Sequence, residues 1–142
     1  FLKSFEEKVV LTKNSLSVSV DYEYSADIGA WHFPVYLHAS RFEDRPYQAA
    51  LASGESKSGK TPLEIPDKVV YGVDGLKSLK EMKFSLKDMD LTFSSGVPGW
   101  NFCDHRGASW MATKVFMLLN SSSTKKQGQK EHYDFKAVIS QK

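Results

Sequence analysis

A single cysteine, Cys103, serves the whole 142-residue chain, so no internal disulfide can staple the fold. Stability must come from an apolar core instead. Arginine is almost as scarce: of the 19 basic residues only Arg41, Arg45 and Arg106 are Arg, and the rest are Lys. Base edges and phosphates are read best by the bidentate guanidinium fork. With a net charge of only +2 as well, the chain gives no strong nucleic-acid signal. No apolar run approaches the ~20 residues of a membrane-crossing helix, so no membrane span is expected. No signal peptide is visible, yet the chain opens on Phe1 and not on Met. It reads as a processed or excised product, which fits secretion and equally leaves a cytoplasmic origin open.

What the chain holds in quantity is aromatic: 13% of its residues, with nine Phe, six Tyr and three Trp. Aromatic and β-branched residues favour strands. At 41% hydrophobic and 25% charged, the composition is that of a globule, and the length suits one domain over 1–142.

The hydrophobic pattern agrees. Leu16, Val18, Val20, Tyr22 and Tyr24 alternate with polar residues, which describes a strand with one buried and one wet face. Trp31, Phe33, Val35 and Leu37 repeat that pattern, with His32 and His38 on the opposite face. Pro34 cannot donate to a ladder and places this strand at an edge or at a bulge. Leu76, Leu79 and Met82 recur at helical spacing behind Asp74, a capping residue, and predict a short helix over 75–82. Phe84 and Leu86 share one parity while Met89, Leu91 and Phe93 share the other, so a bulge is expected near Lys87-Asp88. The stretch 110–119 is apolar enough for burial on both faces, and 132–139 makes a last strand. Gly- and Pro-rich long loops are expected at 53–66 and 94–107. The whole is all-β and mainly antiparallel: a β-sandwich or flattened barrel of about 6–8 strands. Its core is expected to draw on Leu16, Val18, Val20, Tyr22, Trp31, Phe33, Leu37, Phe84, Leu86, Leu91, Phe93, Val115, Met117 and Leu119.

Gly54-Glu55-Ser56-Lys57-Ser58-Gly59-Lys60-Thr61 fits the phosphate-loop pattern G-x-x-x-x-G-K-[ST]. Such a loop works where a core strand enters it and a helix leaves it, so that curled amides and a helix N-terminus face the phosphates. Here Gln48 to Ser53 is no β-branched strand, and Pro66 falls where the helix interior should be. Gly54, Gly59, Lys60 and Thr61 therefore read as a mobile Lys-bearing loop without phosphate chemistry.

Other groups with chemical potential are few. Cys103-Asp104-His105 offers a thiol, a carboxylate and an imidazole. A nucleophilic Cys103 would need a base such as His32, His38 or His132 from elsewhere, with His105 as a further candidate. Asp88 and Asp90 share a strand face and are the candidates for a hard cation, but no further ligands stand at fixed spacing. Trp100, Asn101, Phe102 and Asp104 lie in the Gly96-to-Gly107 segment, where a rigid loop would present aromatics for stacking. Asn120-Ser121-Ser122 matches a glycosylation acceptor, and Lys125, Lys126 and Lys130 form a small basic patch. No cofactor is implied.

With no convincing catalytic set, the reading that follows is a non-catalytic binding module for a protein or glycan partner, engaged through loops at one end of the sheet. A structural assembly subunit capable of self-association is the alternative, and a Cys/His hydrolase a third.

Overall fold

The period-two alternation around Val18 and Tyr22 is realised within an almost wholly antiparallel β structure. The computed structural model describes residues 2–29, 32–121 and 124–142. Among them eleven strands form: β1 (Leu2–Leu11), β2 (Ser15–Tyr24), β3 (His32–His38), β4 (Pro46–Leu51), β5 (Ser56–Lys60), β6 (Val70–Tyr71), β7 (Leu79–Ser85), β8 (Met89–Ser94), β9 (Trp100–Asp104), β10 (Val115–Ser121) and β11 (Lys130–Gln141). One four-residue helix, α1 (Ala39–Phe42), and a 3-10 turn at Val73–Gly75 complete the described elements.

The strands make one curled sheet. Its order is β1-β2-β11-β8-β7-β9-β10-β3, with β4 and then β5 beside β7, and β6 beside β9. The path bends at β7, which meets β9 through the single pair Leu79↔Trp100. One limb therefore holds β5, β4, β7, β8, β11, β2 and β1, and the other holds β6, β9, β10 and β3. The limbs close on a shared core: Tyr47, Leu51, Leu79, Met82, Phe84 and Phe93 from the first, and Leu37, Trp100, Phe102, Phe116 and Leu118 from the second. Aromatic rings dominate the contact. Phe84 packs edge-on against Phe42 and tilted against Phe102, at 5.1 and 5.7 Å between centroids. Each such side chain contributes about 1.5–3 kcal/mol by leaving water. The result is a flattened half-barrel.

A second cluster extends the inner face toward β1: Val20, Tyr22, Tyr24 and Tyr133, covered partly by Ile28 and Phe33. A third lies on the far side of the β9–β10 pair, where Cys103, Val115, Met117 and Leu119 pack with Met111. β10 is thus buried on both faces, as its continuous apolar run requires. β3 pairs with β10 alone, with Pro34 opposite Leu119, so the proline does sit on an edge strand. Trp31 lies outside the described residues.

Four expectations are corrected. Residues 75–82 are not helical. Asp74, Gly75 and Ser78 take left-handed conformations (φ 51°, 75° and 54°) that stop a helix, and Leu79 already belongs to β7. The register of β7 against β4 slips between Ala50 and Leu51, so Leu79 and Met82 both face inward three residues apart. A bulge in a strand has reproduced helical spacing. The phase change between Leu86 and Met89 is likewise no bulge in one strand but the turn of the β7–β8 hairpin, closed by the Leu86 amide donating to Met89 O at 2.9 Å. Residues 53–66 are not a long loop, because β5 pairs there with β4, and 94–107 is interrupted by β9.

Phe84→Ala should lower stability by about 3–5 kcal/mol in urea unfolding, because a fully buried ring is removed from the junction of both limbs. Leu11→Ala, on an exposed residue, should change it by about 0.5 kcal/mol or less.

Candidate functional site

Arg106 is fully buried, and the segment after β9 is built around it. A guanidinium has five N–H donors, and here all five are used. Nε donates to Asp104 Oδ1 at 3.0 Å and one Nη2 hydrogen to Asp104 Oδ2 at 2.7 Å, a bidentate pair. Nη1 donates to Glu43 Oε1 at 2.9 Å and to Leu63 O at 3.1 Å, and Nη2 also donates to Glu64 O at 2.8 Å. Its carbon lies 4.5 Å above the centre of the Phe116 ring. Burial works against the charge, but the bonds to Asp104 and Glu43 outweigh it and hold the pKa above the ordinary arginine value. The residue ties together the end of α1, the 63–64 strap and the turn after β9.

That turn is tight. Asp104 Oδ1 also accepts the Arg106 amide at 3.0 Å, and the Ala108 amide donates to His105 O at 3.0 Å. Gly107 passes so close to the strap that a Cβ would lie 2.3 Å from Pro66 O and 2.8 Å from Lys68 O. Only glycine fits there.

Two exposed aromatics stand on this pinned base. Trp110 is 71% exposed and Tyr71 60% exposed. Between them sits the buried ring of His105, edge-on to Tyr71 at 5.5 Å and to Trp110 at 6.2 Å. Burial pushes the His105 pKa down, partly opposed by the Asp104 charge, so the imidazole is neutral at neutral pH. Leu63 and Ile65 on the strap and Val70 in β6 are also exposed. The surface combines large exposed apolar side chains with the exposed charges of Glu64, Asp67 and Lys68 on the strap.

The residues singled out from sequence fall differently. Trp100 and Phe102 have no exposed surface; they point into the core, where Trp100 meets Phe33, Phe93 and Phe135 edge-on. They cannot touch a ligand without unfolding, because β9 runs through the closed junction of the limbs. Asn101 is engaged internally, accepting from the Ser78 amide and donating to Gly99 O, both at 3.2 Å. Asp104 is spent on Arg106. The exposed Trp of this region is Trp110, after the turn.

Cys103 is buried, and burial pushes its thiol pKa up despite a Gly72 backbone bond and Lys77, so it is not activated as a nucleophile. The distant histidines do not supply a base. His38 Nδ1 faces Ser40 Oγ at 3.0 Å, His32 is exposed, and His132 lies on the outer face of β11. His132 is held between Asp21 Oδ1 at 2.8 Å and Asp134 Oδ2 at 2.9 Å. Asp134 is anchored in turn by the Gly96 amide at 2.9 Å and Ser95 Oγ at 3.0 Å. The Asp21 bond, opposed by slight burial and helped by Asp134, raises the His132 pKa.

Asp90 pairs with Lys83 at 2.9 Å, which keeps its carboxyl below the usual range. Asp88 lies in the hairpin turn, not on one strand face with Asp90. No cluster of three or more His, Cys, Asp or Glu able to hold a metal occurs among the described residues. Gly54 to Thr61 supplies the end of the turn and the second strand of the β4–β5 hairpin, so a strand does enter it but no helix leaves it. The Thr61 hydroxyl is consumed by donation to Phe42 O and acceptance from the Arg45 amide, and Lys60 pairs with Asp44 at 3.1 Å. Asn120 is buried with its amide on Pro98 O at 3.0 Å, a poor glycan acceptor; Ser122 of that sequon lies outside the described residues. In the basic patch Lys125 is buried against Glu131, and Lys126 pairs with Asp27.

These features define an antiparallel β protein with a loop-borne aromatic surface. No protein-family model matches the chain, and no curated protein matches it. Solved structures do match. One is described as a crystal structure analysis of HI1317, with a TM-score of 0.48 and 6% identity over 94% of this chain and 63% of that one. The chain therefore spans less than two thirds of that structure's length.

Two outcomes check the electrostatics. Arg106→Met should cost about 3–5 kcal/mol in urea unfolding, since it leaves the Asp104 carboxylate buried without its partner. His132 is raised in the folded state, so its contribution is full below the unfolded value of about 6.5 and is lost as pH rises through the higher folded pKa. The stability gap between wild type and His132→Gln should therefore shrink on going from acid to alkaline buffer. It should be small throughout, because solvent screens the site.

Proposed function

We propose that this chain is a non-catalytic binding module that engages a protein or glycan partner through the surface of Tyr71, His105 and Trp110. One observation carries the reading: two large aromatic rings stand exposed on a backbone that a fully bonded, buried arginine holds in place. Large aromatics usually hide. Holding them out on a rigid base lowers the ordering cost of binding and gives a partner area that needs little rearrangement. The neutral His105 between them adds no charge for a ligand to match. A flat ring face suits the apolar face of a sugar as well as a protein side chain, so the same residues serve either partner class.

The hydrolase alternative has weaker support. The Cys103 thiol is raised and buried, Asp104 is committed to Arg106, and His132 is held between Asp21 and Asp134 on another face.

The experiment is a glycan-array and protein pull-down screen with wild type, Trp110→Ala and Tyr71→Ala. Trp110→Ala should reduce capture about 30-fold or more, as expected for an anchor worth about 2 kcal/mol, while its urea midpoint stays within error of wild type. Equal capture by wild type and both variants would remove the proposal.

A further inference from the structure

β1 is the exposed apolar edge of the molecule. Among the described residues it pairs with β2 and with no other strand. Cross-strand partners share a face. Phe5, Glu7, Val9 and Leu11 therefore lie on the inner face with Tyr22, Val20, Val18 and Leu16, while Glu6, Lys8 and Val10 lie on the outer face. Phe5 stacks on Tyr22 at 6.3 Å but remains 55% exposed, Val9 is 52% exposed and Leu11 77%. The other edges are built differently. β5 is Ser56-Lys57-Ser58-Gly59-Lys60, β6 has two residues, and β3 carries Pro34. Those are features that blunt an edge; β1 carries charges too, but sets them in a ten-residue ladder beside the exposed Phe5, Val9, Val10 and Leu11.

We propose that β1 pairs with β1 of a second copy of this chain, joining two sheets across a two-fold axis centred on Glu7. Symmetry and charge together fix the register. A two-fold axis perpendicular to the joined sheets keeps inner face beside inner face only if paired residue numbers add to an even sum. With the axis at residue 7, Glu6 of each copy faces Lys8 of the other on the outer face, giving two opposite-charge pairs. On the inner face Phe5 faces Val9 twice, continuing the apolar surface across the junction. Moving the axis to residue 6 sets Phe5 against Glu7 and Glu6 against itself. An axis at residue 8 sets Lys8 against itself and Glu7 against Val9. Lys3 lies at the register irregularity between Leu2 and Ser4, and among registers that do not rely on it the central one alone gives both opposite-charge and apolar pairs. Its main cost is Glu7 facing Glu7, with Ser4 against Val10 as a lesser mismatch, which weakens the contact and keeps it reversible. The charged middle of β1 thus acts as a register selector for a self-pairing edge.

The proposal uses a surface separate from Tyr71 and Trp110, so Trp110→Ala should leave self-association unchanged. The test is sedimentation velocity and light scattering of the 142-residue chain across concentration, with circular dichroism confirming that each variant folds. Wild type should dimerise reversibly. Glu6→Lys and Lys8→Glu each create two like-charge pairs, and each should weaken dimerisation about tenfold or more. Mixed in equal amounts the two should form a one-to-one dimer, because the first variant then carries only lysine at positions 6 and 8 and the second only glutamate. Glu7→Gln should tighten the wild-type dimer, and Glu7→Cys should crosslink across the axis on mild oxidation. A wild type that stays monomeric into the high-micromolar range would overturn the proposal. So would a dimer indifferent to the charge swaps, or a mixture that fails to restore association.

Discussion

The buried guanidinium of Arg106 is the constraint on which the loop end of this protein depends. It has five donors and five acceptors, drawn from Asp104, Glu43, Leu63 and Glu64. These come from the end of β9, the C-terminal side of α1 and the strap before β6. An arginine so placed allows no partial solution: any segment that moved would leave either a charge or a carbonyl buried without a partner. Phe116 beneath the guanidinium fills the remaining face and links the cluster to the aromatic core. The same few residues therefore fix the path of the strap, the tight turn at Gly107 and the positions of His105 and Trp110.

Much of the framework was legible in the chain because strand alternation is a local signal. The alternating run from Leu16 to Tyr24 became β2, and Pro34 marked an edge strand; of the apolar run 110–119 only the part from Val115 became the doubly buried β10, while 110–114 stayed in a largely exposed turn. What misled were places where turns and bulges altered the period. The slip between Ala50 and Leu51 gave Leu79 and Met82 a spacing of three, which sequence alone cannot distinguish from a helix. A three-residue turn between Ser85 and Met89 shifted the parity of Phe84 and Leu91 in the way a bulge would. β5, with Ser, Lys and Gly, has almost no strand propensity. It forms because its neighbour β4 offers a ladder and Tyr47 packs over Gly59, 3.0 Å from where a Cβ would lie. That contact is long-range and left no trace in its own residues.

The site was harder to read than the fold for a related reason. Whether an aromatic is presented or buried depends on which side of a turn it falls. Trp100 and Trp110 are ten residues apart, and both stand among glycines and small residues. The turn at Arg106 and Gly107 lies between them. Trp100 precedes it on β9 and enters the core, whereas Trp110 follows it and faces solvent. Nothing in composition separates the two. Arg106 itself is visible as one of three arginines in a lysine-rich chain. A lone Arg two residues after an Asp and just before a Gly is the local pattern that formed this buried bidentate pair.

The two exposed apolar surfaces differ in how they are supported, and that difference separates their uses. Tyr71 and Trp110 flank a segment that buried charge holds at Asp104, Arg106 and the 63–64 strap, and if they meet a partner as proposed, that anchorage lowers the ordering cost. β1 rests on a single neighbouring strand and has neither face covered along most of its length. An edge of that kind gains most from a contact that supplies ladder hydrogen bonds and covers its side chains together. A second copy of the same strand offers both. In the two proposals the loop surface would take a different molecule and the unsupported edge a second copy of its own strand. With the two placed on separate parts of the sheet, occupying one leaves the other open.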